Sequence, residues 1–447
     1  MNGATAKDVT EPRAQQAVPL RRNRAYHLLW TGTTLSETGL NVSTLAFPLL
    51  ALAATGSPGV AGAVSAVNAL AQVVVGLPAG ALVDRWDRKK IMVSCALVRA
   101  VTLGVLGIAV LAGHAPVWLL LATAGVSGAA TSLFDPAERA SLPSVVSREQ
   151  LPTALSVNTA RMHLGQLAGT SGGGFLFGLG RAVPFLADAV AHLLTFVVIL
   201  FVRLPVRARV RTSLSTIPRT VVDGFAFMAR QPFLRSTTLL LTALNLLFQA
   251  LYLVVVVAAK QSGTGSGQVG VMAAMFGAGG LVGALLAPRI SRSFKAHQAI
   301  AGIIWLMALL VPLMALTDEV MVWGLLLAGM AFLAPTAYTV IGTQQILLTP
   351  DGMRGRLNSA NNLFNGAAQA AGAGLGGLLA QWLTTAQAIL VCAAALVLLG
   401  LAGTAAGSLR LPADGAADEE PAPDDAAQRE RQQEPLPGDG GAAKRDD

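Results

Sequence analysis

The chain has 447 residues, of which 53% are hydrophobic and only 13% are charged, and its formal net charge is +8 at pH 7. Soluble domains carry about 25% charged residues, so this composition excludes an ordinary soluble protein. Apolar stretches long enough to cross a bilayer recur along the whole chain. They are continuous rather than alternating, which excludes a β-barrel and predicts a polytopic all-α membrane protein.

The basic residues mark one side of the membrane. Among 32 Lys and Arg, Arg99 and Arg161 fall inside predicted spans, and only Arg181 and Lys260 fall on the predicted outer side. The others lie in the N-terminal arm, in alternate loops and in the tail, as the positive-inside rule describes. We therefore expect a multi-pass protein of the cell membrane with both termini in the cytoplasm. Because these residues are scattered without interleaved aromatics, they predict contacts with the lipid bilayer and no nucleic-acid surface.

The first part of the chain predicts an arm followed by six spans. Residues 1–20 are polar, and we expect them to be disordered in the cytoplasm. Residues 21–203 form the predicted N-terminal six-helix half. Its spans are placed at about 26–54, 59–82, 91–112, 117–133, 154–179 and 182–202. The polar stretch that follows the fourth span is predicted to be a loop.

The remainder repeats this plan after a connector. Residues 204–232 are arginine-rich, and their helix-spaced Ile217, Val221, Phe225 and Met228 predict an amphipathic helix on the inner membrane face. Residues 233–409 form the predicted C-terminal six-helix half. Its spans are placed at about 233–259, 269–290, 299–316, 320–346, 357–383 and 386–407. Residues 410–447 have the composition of a disordered cytoplasmic tail.

The two halves show a weak internal repeat. Gly80 and Gly283 are separated by the same number of residues as Asn158 and Asn361. Ala287 stands in the second copy where Asp84 stands in the first. Internal repeats of this kind underlie many transporter folds.

A charged turn separates the second and third spans. The positive-inside rule explains its Arg85, Arg88 and Lys89, but not Asp84, which lies four residues after Gly80. This spacing resembles the G-x-x-x-D-R-x-x-R-K signature of the major facilitator superfamily, in the place where that family carries it. The resemblance implies twelve transmembrane helices in two six-helix halves, and transport by alternating access.

In the superfamily, the aspartate of this signature is implicated in a contact between the halves that holds one access state. For Asp84, we expect the partner to be the start of span eleven, near residues 357–361, because a helix N-terminus stabilises a carboxylate. Arg85, Arg88 and Lys89 are expected to support this lock and to anchor the turn.

Two further stretches resemble the macrolide-efflux and enterobactin-exporter-like branch of the superfamily. Phe134-Asp-Pro-Ala137 followed by Leu142-Pro143 matches the loop after span four in that branch. Thr349-Pro350 followed by Arg354-Gly355-Arg356 matches the loop after span ten. The resemblance implies export of drug-like or metabolite-like molecules.

Span five departs from the antiporter motif of many exporters. In this glycine cluster, which includes Gly169, Gly173 and Gly174, Thr170 replaces the proline of the motif. The glycines still predict close helix packing. Without the proline bend, this motif gives little support to proton antiport.

Glu37 and Asn41 lie one turn apart within span one, on one helix face. A charge inside the bilayer costs about 2.5–3.5 kcal/mol on insertion scales, so such residues usually face a cavity and have a partner. The pair predicts either a proton-coupling or cation-binding site, or a structural acid near the membrane boundary. The sequence leaves both alternatives open.

Asp188 and His192 are also one turn apart, towards the outer end of span six. They could form a proton relay, although a boundary pair capped by water is the favoured interpretation. Arg161 could pair with one of the intramembrane acids or attract an anionic substrate. Arg99 is expected to hold the third span against a carbonyl or an acid.

The motifs favour a secondary transporter. The sequence has no phosphate-binding loop, no nucleophile elbow and no metal-ligand spacing among its five histidines, so we expect no enzyme activity, cofactor or metal site. The leading hypothesis is a monomeric, proton-coupled exporter of lipophilic or amphiphilic small molecules. An uptake permease or facilitator is the alternative, and a non-transporting receptor or scaffold is a weaker third.

Overall fold

A computed structural model describes residues 19–147, 149–204, 217–290 and 296–405. The C-terminal tail, nearly all of the N-terminal arm and part of the connector lie outside these residues. The described chain is almost entirely helical, and no strand occurs in it.

A first group of six long helices follows a single 3₁₀ turn. The helices are α1 (Arg24–Thr55), α2 (Pro58–Arg85), α3 (Arg88–Leu111), α4 (Val117–Val145), α5 (Leu151–Leu179) and α6 (Val183–Phe201). Each begins and ends within a few residues of its predicted span, except that α4 is much longer than predicted.

A short connector helix leads to a last group of six long helices. The elements are α7 (Ile217–Arg230), α8 (Pro232–Gln261), α9 (Ser266–Ile290), α10 (Ala296–Met314), α11 (Val320–Leu347), α12 (Asp351–Trp382) and α13 (Thr385–Ala405). As the sequence predicts, α7 is amphipathic. Its Met228 is buried, whereas Val222 is 62% exposed.

Within the described ranges, nine helices are long and apolar enough to cross a bilayer. They carry many exposed large apolar side chains, such as Val101 and Ile108 of α3 and Leu193 of α6, which form a surface suited to lipid. Three long helices are not among the nine. Helices α5 and α12 are rich in glycine and polar residues, and α10 contributes only a shorter apolar segment, Ile300–Met314. The count of twelve spans therefore stays a prediction.

The same helix pairs recur in both groups. In the first group, α1 packs on α5 and α6, α2 packs on α4, and α3 packs on α4 and α6. In the last group, α8 packs on α12 and α13, α9 packs on α11, and α10 packs on α11 and α13. The internal repeat of the sequence thus has a counterpart in the pairing of the helices.

The stretch predicted as a loop after span four is helical. Helix α4 continues to Val145 with Pro136 and Pro143 inside it. A proline within a helix costs about 3 kcal/mol because it removes a hydrogen bond. Burial of Phe134 and Leu142 along one face offsets this cost, so packing decides against the local sequence signal.

Helix α12 also begins earlier than predicted. It starts at Asp351, directly after Pro350, rather than near residue 357. The connector helix packs on this first part of α12. Arg356 Nη1 lies 3.0 Å from Asp223 Oδ2, and the rings of Phe225 and Phe364 are 5.1 Å apart. Contacts distant in sequence therefore help to hold the extra turns.

The bundle has two distinct ends. The basic end is where α1 begins and α4 ends, and there Asn23 Nδ2 donates to Val145 O over 2.6 Å. At the opposite end, Ser57 Oγ and the Gly59 amide donate to Gln381 Oε1 over 3.0 and 3.1 Å. These last two bonds join the first group to the last group.

Close helix contacts between the two groups also lie towards the opposite end. The pairs are α2 with α12 and α5 with α9. A Cβ on Gly62 would lie 2.7 Å from Gly377 Cα, and a Cβ on Gly270 would lie 2.8 Å from Gly174 Cα. Only glycine allows such an approach, so both contacts depend on the absence of side chains.

The span-five glycines pack on two different helices. Gly169 and Gly173 face α1, where a Cβ on Gly173 would lie 2.7 Å from Val42 O. Gly174 faces α9 instead. The motif therefore joins α5 both to its own group and to the last group.

We predict that Gly173→Ala lowers the melting temperature by several degrees, because the added methyl would overpack the α1–α5 contact at a cost of about 1–3 kcal/mol. Gly172→Ala is the matched control, since a Cβ there would meet only Val42 Cγ2 at 3.9 Å. Thermal unfolding of both purified variants checks this. Equal melting temperatures would contradict the packing role.

Candidate functional site

A large cavity lies among the helices of the last group. It has a volume of about 580 Å³ and is called the apolar cavity here. Gln166 of α5 reaches its wall, and the other lining residues come from α8 to α11. They include Leu241, Leu244, Asn245, Phe248, Phe276, Ile303, Met307, Met330, Ala334 and Tyr338.

The wall of the apolar cavity combines aromatic rings with a few polar groups. Phe248 and Phe276 are stacked with their ring centroids 5.1 Å apart. Elsewhere, Asn245 Nδ2 lies 2.7 Å from the Tyr338 hydroxyl oxygen. Mostly apolar walls with a small number of placed polar groups are typical of small-molecule sites.

A smaller and far more polar pocket adjoins this cavity. It has a volume of about 170 Å³ and is called the amide pocket. Leu241 and Tyr338 belong to the walls of both. Its lining residues are Thr238, Leu241, Tyr338, Ile341, Gly342, Gln345, Asn358, Asn361, Asn362 and Asn365.

A third space, the polar cavity, lies between the two groups of helices. It has a volume of about 530 Å³, and α2, α4 and α12 form its walls. Asn362 and Asn365 belong both to it and to the amide pocket, so the three spaces are contiguous. Its polar lining residues are Gln72, Thr131, Ser132, Asp135, Arg139, Ser359, Asn362, Asn365 and Gln369.

Arg161 has a carboxylate partner that sequence analysis missed. Its Nη2 lies 3.2 Å from Glu138 Oε1, and Asn158 Nδ2 donates to the same oxygen over 3.4 Å. Both charged side chains are buried. Arg161 thus pairs with an acid, which was one of the two alternatives, but the acid is Glu138 rather than Glu37 or Asp188. A prediction that extended the fourth span through residue 145 would have placed Glu138 in a helix and made it a candidate partner for Arg161.

Asp188 is the centre of a buried network. His192 Nδ1 lies 2.7 Å from Asp188 Oδ1, and Arg99 Nη2 lies 3.6 Å from Asp188 Oδ2. Ser43 Oγ also donates to this carboxylate, and Ser36 Oγ lies 3.2 Å from His192 Nε2. Asp188 and His192 are 0% exposed, which corrects the interpretation of a water-capped boundary pair. As expected, Arg99 faces an acid.

Glu37 and Asn41 are bonded to each other. Asn41 Nδ2 donates to Glu37 Oε1 over 3.3 Å and to the Glu37 carbonyl over 2.8 Å. Glu37 is half-buried and interacts electrostatically with Asp135 and Glu138 of α4. It does not belong to the lining of the three spaces described above, whereas Asp135 lines the polar cavity. The two roles proposed for Glu37 both stay open.

The signature turn is built from two helix ends. Asp84 and Arg85 end α2, and Arg88 and Lys89 begin α3. Lys89 Nζ donates to Leu200 O over 2.7 Å, in the last turn of α6, where carbonyls lack helical partners. Arg88 Nη1 donates to Ala140 O of α4 over 2.5 Å. Both bonds attach the turn to its own group of helices.

Asp84 has not formed the expected contact with α12. Its side chain is 54% exposed and lies 4.0 Å from Arg88 Nη2. No atom would lie within 4 Å of a Cβ on Gly80. Moreover, α12 begins at Asp351, so residues 357–361 lie beyond its first turn, where the helix dipole acts. The contact between Asp84 and α12 therefore stays a prediction, and the helix N-terminus lies at Asp351 rather than at residues 357–361.

The described residues hold no group of three or more His, Cys, Asp or Glu side chains that could bind a metal ion. The buried charged groups of the described helices are instead paired, Arg161 with Glu138 and Asp188 with Arg99 and His192.

Three features of the structure are typical of membrane transporters. They are the repeated helix pairing, the paired charges inside the bundle and the neighbouring cavities between helices. The chain is a membrane transporter of the major facilitator superfamily, and it is not an enzyme. It belongs to the transmembrane secretion effector family, whose model matches residues 14–435.

Known relatives match parts of the chain. Macrolide efflux protein A of Streptococcus pyogenes is 25% identical over 181 residues, which are 40% of this chain and 45% of that protein. The uncharacterized MFS-type transporter YfiS of Bacillus subtilis is 27% identical over 354 residues, which are 74% of this chain and 81% of that protein. The match thus spans less than half of the macrolide efflux protein.

Solved structures share the fold. A mutant of the nucleoside transporter NupG has a TM-score of 0.71 at 13% identity, over 86% of this chain and all of that chain. A bacterial homologue of the iron transporter ferroportin, in an inward-facing state, has a TM-score of 0.68 at 17% identity, over 88% of this chain and all of that chain. At these identities the likeness concerns the fold alone.

We predict that Glu138→Gln destabilises the protein by about 3–5 kcal/mol, because it leaves the buried Arg161 guanidinium unpaired. The double variant Glu138→Gln with Arg161→Gln should recover most of this loss. The measurement is thermal unfolding of both variants and of Arg161→Gln alone. A melting temperature unchanged by Glu138→Gln would show that the pair is not needed.

Proposed function

We propose that the protein is a proton-coupled exporter of lipophilic or amphiphilic small molecules in the cell membrane, and that it works as a monomer with cytoplasmic termini. The observation that carries this proposal is the contiguity of the three spaces. A site suited to apolar molecules is joined through the amide pocket to a polar cavity that contains Asp135.

The substrate class follows from the apolar cavity. A volume of about 580 Å³ is in the range of drug-sized ligand sites. Stacked Phe248 and Phe276 offer an aromatic surface, and methionines on the wall can adapt to different shapes. These features favour molecules with a large apolar body and few polar groups.

The direction of transport rests on access and on the relatives. The two groups of helices are packed together at the opposite end, and the polar cavity lies on the basic-end side of those contacts. With the basic end in the cytoplasm, a substrate enters from the inner side and leaves outward. The name of the Streptococcus relative, an efflux protein, supports the same direction.

Proton coupling is assigned to the acids of the first group. Glu37, Asp135 and Glu138 interact with one another, and Asp135 has access to the polar cavity. Ionisable residues within a bundle typically serve as proton relays in transporters. Asp188 and His192 are fully buried in this arrangement of the helices. A proton could therefore reach them only in a different arrangement of the helices.

Asp84 and Gly80 are proposed to act when the basic end closes. In this arrangement no atom lies within 4 Å of a Cβ on Gly80, at the basic end of the bundle. At the opposite end, α2 and α12 are already in contact. Rotation of one group against the other would bring these residues towards α12. Arg88 and Lys89 keep the turn fixed to the first group during such a motion.

We predict that Asp84→Asn reduces transport at least several-fold and leaves the melting temperature within about one degree of the wild-type value. The reason is that Asp84 is exposed and makes only a weak surface ion pair in this arrangement. Flux and thermal unfolding are to be measured on the same preparation, with Asp87→Asn as a control for the α3 cap. Normal flux by Asp84→Asn would exclude its role in cycling.

We predict that cells producing the protein accumulate less of at least one compound from a panel of antibiotics, dyes and siderophores. A protonophore and the Glu37→Gln variant, at matched expression, should both abolish the difference. Accumulation assays with cells carrying an empty vector provide the baseline. Higher accumulation would identify uptake, and an effect that survives the protonophore would contradict proton coupling.

A further inference from the structure

The amide pocket has a composition that proton coupling does not explain. Five carboxamide side chains and the hydroxyls of one threonine and one tyrosine line it. No Asp, Glu, Lys, Arg or His is part of this lining. A space so polar and yet uncharged, among three membrane helices of the last group, calls for a ligand that can satisfy its hydrogen-bonding groups.

Part of the pocket is fixed by its own hydrogen bonds. Asn361 Nδ2 donates to Gln345 Oε1 over 3.1 Å, and Thr238 Oγ1 donates to Asn361 Oδ1 over 2.9 Å. Gln345 Nε2 donates to Thr237 Oγ1 over 3.2 Å. These bonds fix the orientation of the side-chain amides of Asn361 and Gln345, so this side of the pocket is preorganised.

The other side of the pocket keeps polar groups available. Asn358 and Asn362 are exposed, and within the described ranges their side chains make no hydrogen bond with another residue. Asn365 accepts a bond from Asn245 Nδ2 through its Oδ1 over 3.1 Å, which leaves its own amide hydrogens unused. The pocket thus offers both donors and acceptors to a molecule that enters it.

This chemistry selects an uncharged polar group. A carboxamide donates through its nitrogen and accepts through its oxygen, which suits a hydroxyl, a carbonyl or another amide. An ammonium or a carboxylate would lose its hydration without gaining a counter-ion, and such a loss is expensive. The buried charges of the described chain lie in the first group of helices, whereas the lining of this pocket carries no charge.

The location of the pocket indicates which chemical character the rest of the ligand has. Leu241 and Tyr338 form part of its wall and part of the wall of the apolar cavity. We propose that the amide pocket is the subsite for the uncharged hydrogen-bonding group of an amphiphilic substrate whose apolar body fills the apolar cavity. This assignment rests on the proposed function, because it names the substrate class of the same site.

Binding of three fluorescent probes to the full chain in lipid nanodiscs tests the proposal. Pyrenebutanol carries a hydroxyl, butylpyrene carries no polar group, and pyrenebutyrate carries a negative charge. Pyrene emission sensitised by protein tryptophans is recorded for each, with empty nanodiscs subtracted. The wild-type protein should bind pyrenebutanol in preference to pyrenebutyrate.

The variant to compare is Asn358→Leu with Asn362→Leu. We expect it to weaken pyrenebutanol binding about tenfold, the effect of losing one or two neutral hydrogen bonds, and to leave butylpyrene binding unchanged. Gln369→Leu is the matched control. It removes an amide about two turns further along α12 that lines only the polar cavity, and it should change neither probe.

Several outcomes would contradict the proposal that the amide pocket is a substrate subsite. They are equal weakening of both uncharged probes, unchanged pyrenebutanol binding, tighter binding of pyrenebutyrate, or no saturable binding by the wild-type protein. Because binding is measured without a gradient, it is separable from export. A protein that binds pyrenebutanol selectively and moves no compound would keep the subsite and contradict the transport proposal.

Discussion

Two arginines are buried within the described first group of helices, and the low polarity of their surroundings requires each to have a carboxylate partner. Arg161 of α5 pairs with Glu138 of α4, and Arg99 of α3 faces Asp188 of α6. Because an unpaired buried charge is so costly, these pairs specify which helices are neighbours. Asp188 also accepts a bond from Ser43 of α1, so three helices meet at one carboxylate. The arrangement of the first group depends on this constraint.

The last group repeats the scaffold, but none of its described residues is a buried charged side chain. Asn158 of α5 bonds Glu138 of α4, and its sequence counterpart Asn361 of α12 bonds Gln345 of α11. The side chain that bonds the repeated asparagine is thus an acid in one group and an amide in the other. The same helix pairs therefore support two chemistries: an ionisable network on one side, and neutral polar and apolar cavities on the other. This difference is the physical basis for assigning protons to the first group and substrate to the last.

Glycine determines how the two groups meet. The contacts of Gly62 with Gly377 and of Gly174 with Gly270 are close enough to exclude any side chain, and they lie towards the end away from the basic turn. Contacts made by bare backbone have no interlocking side chains to separate. They let the helix backbones approach closely, and the resulting van der Waals packing holds the two groups together at this end. The basic turn is meanwhile anchored to its own group by Lys89 and Arg88.

The sequence by itself determined the membrane class, the order of the helices and most of their limits, because each depends on hydropathy and length. It also identified the superfamily, through a turn whose spacing is local. It failed where distant contacts outweigh local signals. The stretch that contains Pro136 and Pro143 was predicted to be a loop, but packing holds it as a helix, and the partner of Arg161 lies on that helix. The connection between the apolar cavity, the amide pocket and the polar cavity was decided only by the tertiary structure. Residues of seven helices line these spaces together with one glutamine of α5, and their proximity follows from how the helices pack rather than from any spacing along the chain.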